Sequence, residues 1–263
     1  MSDPPEAVRP TAAEAPAPTD ARPSDIAARL ASGPPAVALE RVDRRFGRER
    51  VLRGVSLEVA AGRIVALRGR NGSGKTTLLR LLATRLRPSD GRGRIFGHDL
   101  VRESAQVRKR TAYLNVQSGS YGPLTARENL RLAATMTGAS PGDVEEALYR
   151  VGLEPHGDRL VRVFSSGMKR RLGLARLLIT NADLWLLDEP YASLDEDGRE
   201  LVDGLLAEAR EVGRTVLVAS HEPARLIGRV DATVELDNGV LRGLATAPSE
   251  TAPSEAPPDE AGP

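Results

Sequence analysis

The chain has 263 residues, 40% of them hydrophobic, with 37 basic side chains set against 36 acidic ones for a net charge of +1. That length accommodates one substantial domain or two small ones, and the charge balance gives no support for a dedicated nucleic-acid binder. Cysteine is absent, which excludes disulfides, thiolate metal sites and a cysteine nucleophile.

Residues 1–35 are rich in Ala and Pro, as in "EAPAPTDARPSD". Such a segment buries too little apolar surface to offset its ordering entropy, and a disordered tail is expected there. The opening "MSDPPEAVRP" has neither the basic nor the apolar region of a secretory signal. No stretch approaches the roughly 18 consecutive apolar residues of a membrane-spanning helix, so a soluble protein is expected.

"AVALERV" (36–42) and "VSLEV" (55–59) alternate in the manner of antiparallel strands. "RIVALRG" (63–69) is a more continuous apolar run, followed by glycines and the helical pattern "KTTLLRLLATRL" (75–86). "TAYLNV" (111–116) reads as a short strand. From 125 to about 152 the apolar spacing predicts helix, through "TARENLRLAATM" and "GDVEEALYRVG". "VFSSGMKRRLGLARLLI" (163–179) predicts another helix, with Ser165 or Ser166 as N-cap and a positive cluster behind it. "LWLLDEP" (184–190), "TVLVASHEP" (215–223) and "ATVELDNG" (232–239) supply three more strands, with a helix over 195–213 between the first two. The alternation predicts an α/β fold with a mostly parallel sheet core, an N-terminal antiparallel β subdomain and a helical insertion subdomain at about 118–180. Residues 246–263 repeat the Pro/Ala-rich composition and are expected to form a second disordered tail, leaving 36–245 as the folded domain and no room for a C-terminal regulatory domain.

The chemistry concentrates in "GRNGSGKTT" (69–77), which satisfies G-x-x-x-x-G-K-[ST] between an apolar strand and a helix. Glycines let such a backbone curl with its N–H groups inward, a nest for phosphates at a helix N-terminus. Asn71, Gly72, Ser73, Gly74, Lys75, Thr76 and Thr77 are therefore the candidate loop for the phosphates of a nucleotide. Lysine occurs only at 75, 109 and 169 in this arginine-rich chain, so its presence within the loop has a chemical reason. Thr76 offers a hydroxyl to Mg²⁺. Asp188 closes a strand of large apolar residues and is a second candidate Mg²⁺ ligand, while Glu189 sits where a general base would polarise an attacking water. His221 follows another apolar strand. Such a histidine is often buried and satisfied in a core, but here it falls on the sheet edge where α/β folds bind ligands, within reach of a γ-phosphate or the attacking water.

Together these features resemble the nucleotide-binding subunit of ATP-binding cassette (ABC) transporters over about residues 37–243. The resemblance implies an ABC-type P-loop NTPase fold, ATP hydrolysis with Mg²⁺, and a head-to-tail dimer in which the signature helix of one copy meets ATP held by the other. It further implies an integral membrane permease as partner, with the chain peripheral on the cytoplasmic face of the cell membrane, and no nucleic acid. "FSSGM" (164–168) falls at the family's signature, making Ser165, Ser166 and Gly167 candidate ATP contacts. "ASLD" (192–195) falls at its D-loop and gives Asp195. Phe46, in "RRFG", falls where an aromatic residue stacks on adenine, with a core phenylalanine as the other reading. Val116 stands where the family has a glutamine, and Gln117 follows one position later, where it would contact Mg²⁺ and water if the loop shifts register. Ser166 replaces the first signature glycine and Met168 the final glutamine. The Ser-Ser-Gly-Met signature is similar to exporter-type cassettes, among them the haem exporter of cytochrome c maturation and the ABC-2-type drug, polysaccharide and lipid exporters. A soluble cassette ATPase, such as an Fe–S assembly factor, is a reading of another class. Tyr121, Pro123 and Leu124 mark the expected dock for the permease.

Overall fold

Residues 34–115 and 119–246 are described by the computed structural model. The two expected tails lie outside them except at their inner ends, and so do Val116, Gln117 and Ser118.

Two sheets form the framework. Strands β1 (Val37–Phe46) and β2 (Glu49–Val59) pair antiparallel from Val37↔Val59 to Phe46↔Glu49, as their alternating pattern requires. Two strands invisible in the apolar pattern, β4 (Asp90–Ile95) and β5 (His98–Asp99), extend this sheet in the order β2-β1-β4-β5. The sequence "DGRGRI" carries almost no strand signal, and its conformation comes from its antiparallel register on β1.

The second sheet runs β10-β9-β3-β8-β7-β6, built from β3 (Ile64–Arg68), β6 (Thr111–Leu114), β7 (Leu184–Asp188), β8 (Thr215–Ala219), β9 (Ala232–Asp237) and β10 (Val240–Thr246). All its pairings are parallel except the β9–β10 hairpin at one edge. All five residues of β7 and of β8 are buried, because both faces of a parallel sheet are covered. Successive residues therefore feed two separate cores. Ile64, Ala66, Trp185, Leu187, Val216 and Val218 face the helical side, while Val65, Leu67, Leu184, Leu186 and Leu217 face β1, β2 and the helix α1 (Lys75–Leu82). Each fully buried Leu, Ile or Val in these layers stabilises the fold by about 1.5–3 kcal/mol.

The remaining helices are α2 (Ser104–Arg110), α3 (Ala126–Thr137), α4 (Pro141–Arg150), α5 (Ser166–Leu178) and α6 (Glu196–Glu211). The helical pattern of 125–152 breaks into α3 and α4 at Gly138, which adopts a left-handed conformation (φ 78°) and ends α3. Reciprocal capping boxes, Thr125 with Glu128 and Ser140 with Asp143, start each helix. Helix α1 ends at Leu82, earlier than its apolar pattern, and α2 was not legible in the sequence.

Buried Asn129 on α3 fixes the loop that precedes it. Its Oδ1 accepts from the Tyr121 N–H at 2.7 Å, and its Nδ2 donates to the carbonyls of Tyr121 (3.0 Å) and Thr125 (2.8 Å). Asn129→Ala leaves these main-chain groups unpaired and is expected to cost about 2–3 kcal/mol of stability, read as a lower urea midpoint at unchanged slope.

Candidate functional site

The turn after β3 depends on glycine. Gly69 has φ 149° and passes so close to the Leu236 carbonyl that a Cβ would collide with it, and Gly74 (φ 108°) is the N-cap of α1. Lys75, the first residue of α1, is only 6% exposed, and its Nζ donates to the carbonyls of Gly69 (2.7 Å) and Arg70 (3.1 Å). Burial pushes its pKa down, while the charges of Glu189 and Asp188 oppose that shift. The buried Ser73 hydroxyl has no hydrogen-bond partner.

Asp188 ends β7 and is buried; the Thr76 hydroxyl donates to its Oδ1 at 3.1 Å and the Tyr113 hydroxyl to its Oδ2 at 3.2 Å. Burial, with the Asp188 charge as second cause, pushes the Tyr113 pKa up to about 12, so this phenol stays a donor at neutral pH. Glu189 holds a left-handed backbone (φ 53°), a conformation that costs a non-glycine residue about 1–2 kcal/mol and here points its carboxylate along the strand edge. The Glu189 N–H donates to Ala219 O at 2.8 Å. Its Oε2 accepts from the His221 N–H at 2.9 Å, and its Oε1 lies 3.1 Å from His221 Nε2. His221 is half exposed rather than a core histidine.

These groups converge. Val51 of β2, the loop residues, Glu189 and His221 line a cleft of about 350 Å³. A larger hollow of about 730 Å³ lies on the four-stranded sheet and shares no residue with the cleft. Its buried carboxylate, Asp43, is already engaged by Arg50, at 2.7 Å to each oxygen, and by the Gly54 N–H at 2.6 Å, and the other two, Glu40 and Asp90, are exposed.

The other sequence candidates lie outside the cleft. Phe46 is 44% exposed, not a core residue, and the Arg44 guanidinium sits over its ring 4.5 Å from the centroid. Ser165 is the N-cap of α5, accepting from the Met168 N–H at 3.2 Å; Ser165 and Ser166 are exposed. Gly167 packs so near the Ser193 carbonyl that an added Cβ would sit 3.0 Å from it. Asp195 caps α6 through the Gly198 N–H (3.0 Å) and pairs with Arg171 at 2.8 Å, which holds its carboxyl below the usual range. Gln117 lies outside the described residues. Sequence reasoning missed Tyr113, whose phenol on Asp188 is visible only once β6 and β7 are paired in register.

The residues fit Mg²⁺ as well as nucleotide. The Thr76 hydroxyl and Asp188 carboxylate are adjacent hard oxygen donors, and no group of three His, Cys, Asp or Glu able to hold a metal occurs among the described residues. A small protein donor set suits a cation that keeps waters and takes phosphate oxygens.

A strand–glycine loop–helix unit facing carboxylates at the end of a neighbouring parallel strand defines a P-loop nucleoside triphosphatase. Within that class the chain belongs to the ABC transporter family, whose model matches residues 52–192. It is the family's ATP-binding, ATP-hydrolysing component. It is 39% identical over 190 residues to a daunorubicin resistance ATP-binding protein of Streptomyces coeruleorubidus, covering 71% of this chain and 60% of that one. It is 39% identical over 198 residues to a cytochrome c biogenesis ATP-binding export protein of Bordetella bronchiseptica, covering 74% and 87%. Among solved structures, the ATP-binding subunit of an ABC transporter superposes with a TM-score of 0.75 at 27% identity, over 80% of this chain and 90% of that one. Among the described residues no helix is long and apolar enough to cross a membrane.

Lys75→Ala removes the buried cation of the loop. Calorimetry is expected to show at least a tenfold loss of ATP affinity, about 1.4 kcal/mol or more, with the thermal midpoint little changed.

Proposed function

We propose that this chain is the ATPase subunit of an exporter, working by ATP-dependent head-to-tail pairing of two copies beneath a membrane permease. The observation that carries this reading is a separation. Lys75, Thr76, Glu189 and His221 share one cleft, with Asp188 buried against Thr76 beneath it, while the exposed helix start at Ser165 and Ser166 contributes nothing to it. A helix N-terminus attracts anions, and a second copy placed head to tail lays this one on the terminal phosphate of ATP.

Each residue then has a chemical role. Lys75 and the loop N–H groups hold the β- and γ-phosphates, and Phe46 offers its ring to adenine. Thr76 and Asp188, with Gln117, would hold Mg²⁺, which neutralises charge on the phosphate oxygens. Glu189 accepts the proton of the attacking water. His221 keeps the Glu189 carboxylate aimed through two contacts and reaches towards the γ-phosphate. Ser165, Ser166, Gly167 and Asp195 complete the site from the other copy. ATP binds the paired state better than the separated one, so binding joins the copies and hydrolysis releases them. Residues 36–245 act as this domain, with the helices between about 118 and 180 as the lobe facing the permease. Exposed Tyr121, with Pro123 and Leu124 beside it, offers the apolar contact for docking. The chain then sits peripherally on the cytoplasmic face of the cell membrane.

For cargo we favour haem, supported by the 87% coverage of the cytochrome c biogenesis relative and by the Ser-Ser-Gly-Met signature. The equal identity to the daunorubicin resistance protein supports a second reading, export of a drug-like or lipid molecule. Co-purification with its permease, followed by ATPase assays with haem and with an anthracycline, separates the two; stimulation by the anthracycline alone overturns haem.

Glu189→Gln is expected to lower phosphate release by at least a hundredfold, with ATP binding kept and a stable dimer in sedimentation. Turnover within tenfold of wild type means that another group supplies the base.

A further inference from the structure

Arg170 lies on α5, four residues beyond Ser166, and is only 3% exposed. It meets no carboxylate within ion-pair distance among the described residues. Its guanidinium instead donates to three main-chain carbonyls on two segments: Nη1 to Asn115 at 2.6 Å after β6, and Nη2 to Glu189 and Nε to Ala192 at 3.3 Å in the turn after β7. Asn115 immediately precedes the segment that carries Gln117, and Ala192 begins the run that ends at Asp195. Burial pushes this guanidinium's pKa down, and the charges of Asp188 and Glu189 oppose the shift. Burying a charge without an adjacent counter-ion is costly, whereas a leucine or methionine would simply continue the apolar face of Leu174 and Leu177. The fork presents donors on three separate nitrogens, one for each carbonyl, whereas an ammonium carries its three donors on a single atom.

The Glu189 main chain is therefore held on both sides, its N–H by the Ala219 carbonyl and its own carbonyl by Arg170 and by the Ala192 N–H at 3.1 Å, and Arg170 reaches Ala192 as well. Its backbone is in a strained left-handed conformation, so a shift of this turn swings the carboxylate. Helix α5 is a rigid rod, and the helix start at Ser165 stands about 7.5 Å along it from Arg170.

We propose that Arg170 is a positioning residue that ties the exposed start of α5 to the main chain of Glu189, so that engagement of ATP at Ser165–Gly167 in one site sets the general base of the other. The proposal rests on the paired-site reading above. In each copy the helix start serves the partner's ATP, while Glu189 serves its own. A docked phosphate pulls on α5, Arg170 carries the displacement to the Glu189 carbonyl, and the two sites fire together.

Arg170→Lys in the full-length chain tests this, with Arg150→Lys, an ion-pair change against Glu208 that lies outside the cleft, as control. ATPase rate is measured against ATP concentration, ADP affinity by calorimetry, and thermal midpoint by circular dichroism. The expected result for Arg170→Lys is a fall in kcat of about tenfold or more with ADP affinity kept within about twofold. The Hill coefficient is expected to drop from near the two-site limit of about 2 towards 1. Arg150→Lys leaves both readouts unchanged. Should Arg170→Lys not fold, Arg170→Gln, neutral and still a donor, carries the same expectations. A kcat within twofold of wild type, or a lowered kcat at unchanged Hill coefficient, overturns the proposal. A wild-type Hill coefficient of 1 sinks the paired-site reading instead, and Arg170 as a support of Glu189 then stands or falls on the loss of kcat at constant ADP affinity.

Discussion

The hydrogen bond from Thr76 to Asp188, 3.1 Å long and spanning 112 residues of sequence, is the contact on which the site depends. It exists because β3 and β7 both pair with β8 in parallel register, which brings the glycine loop after one strand beside the carboxylates at the end of the other. Parallel strands must be buried on both faces, so the sheet needs two cores, and the molecule is organised to supply them. The antiparallel sheet with α1 covers one face and the helices α3 to α6 cover the other. A hydrophobic requirement thus delivers the polar edge where phosphate chemistry takes place.

Charge at that edge is arranged with little slack. Lys75 is buried against loop carbonyls, Asp188 is shared by a threonine and a tyrosine, and Glu189 is held by both the backbone and the ring of His221. Such preorganised groups need little reorganisation when a triphosphate arrives. Meanwhile the most exposed part of the signature segment, Ser165 and Ser166, has only a cap to make in its own chain. The contrast between a crowded cleft and an idle helix start is the observation behind the proposed shared site.

Much of this was legible in the sequence because it is local. The glycine loop, the apolar run ending in Asp188-Glu189 and the strand ending before His221 each announce themselves within ten residues. The N-cap at Ser165 was equally local. What escaped depends on partners distant in sequence. Strands β4 and β5 read as glycine- and arginine-rich loop because β1, not their own side chains, makes them strands. Tyr113 reaches Asp188 only through the β6–β7 register, and the contact between Glu189 and His221 was no more than a shared sheet edge. Arg170 did leave a trace: a charge on the same helical face as Leu174 and Leu177, where an apolar residue is expected.

Sharing of each ATP between two copies is the central claim, and complementation tests it most directly. Two inactive proteins are prepared, one carrying Lys75→Ala and the other Ser165→Glu, and mixed in equal amounts. In a head-to-tail pair, one mixed site has both lesions and the other has an intact loop facing an intact helix start. The account predicts that ATP hydrolysis reappears on mixing, above the sum of the separate proteins, at a rate about tenfold or more below wild type because the doubly damaged site no longer sets the base of the intact one. Activity that never exceeds the sum of the separate proteins contradicts it, because each copy would then build its site alone.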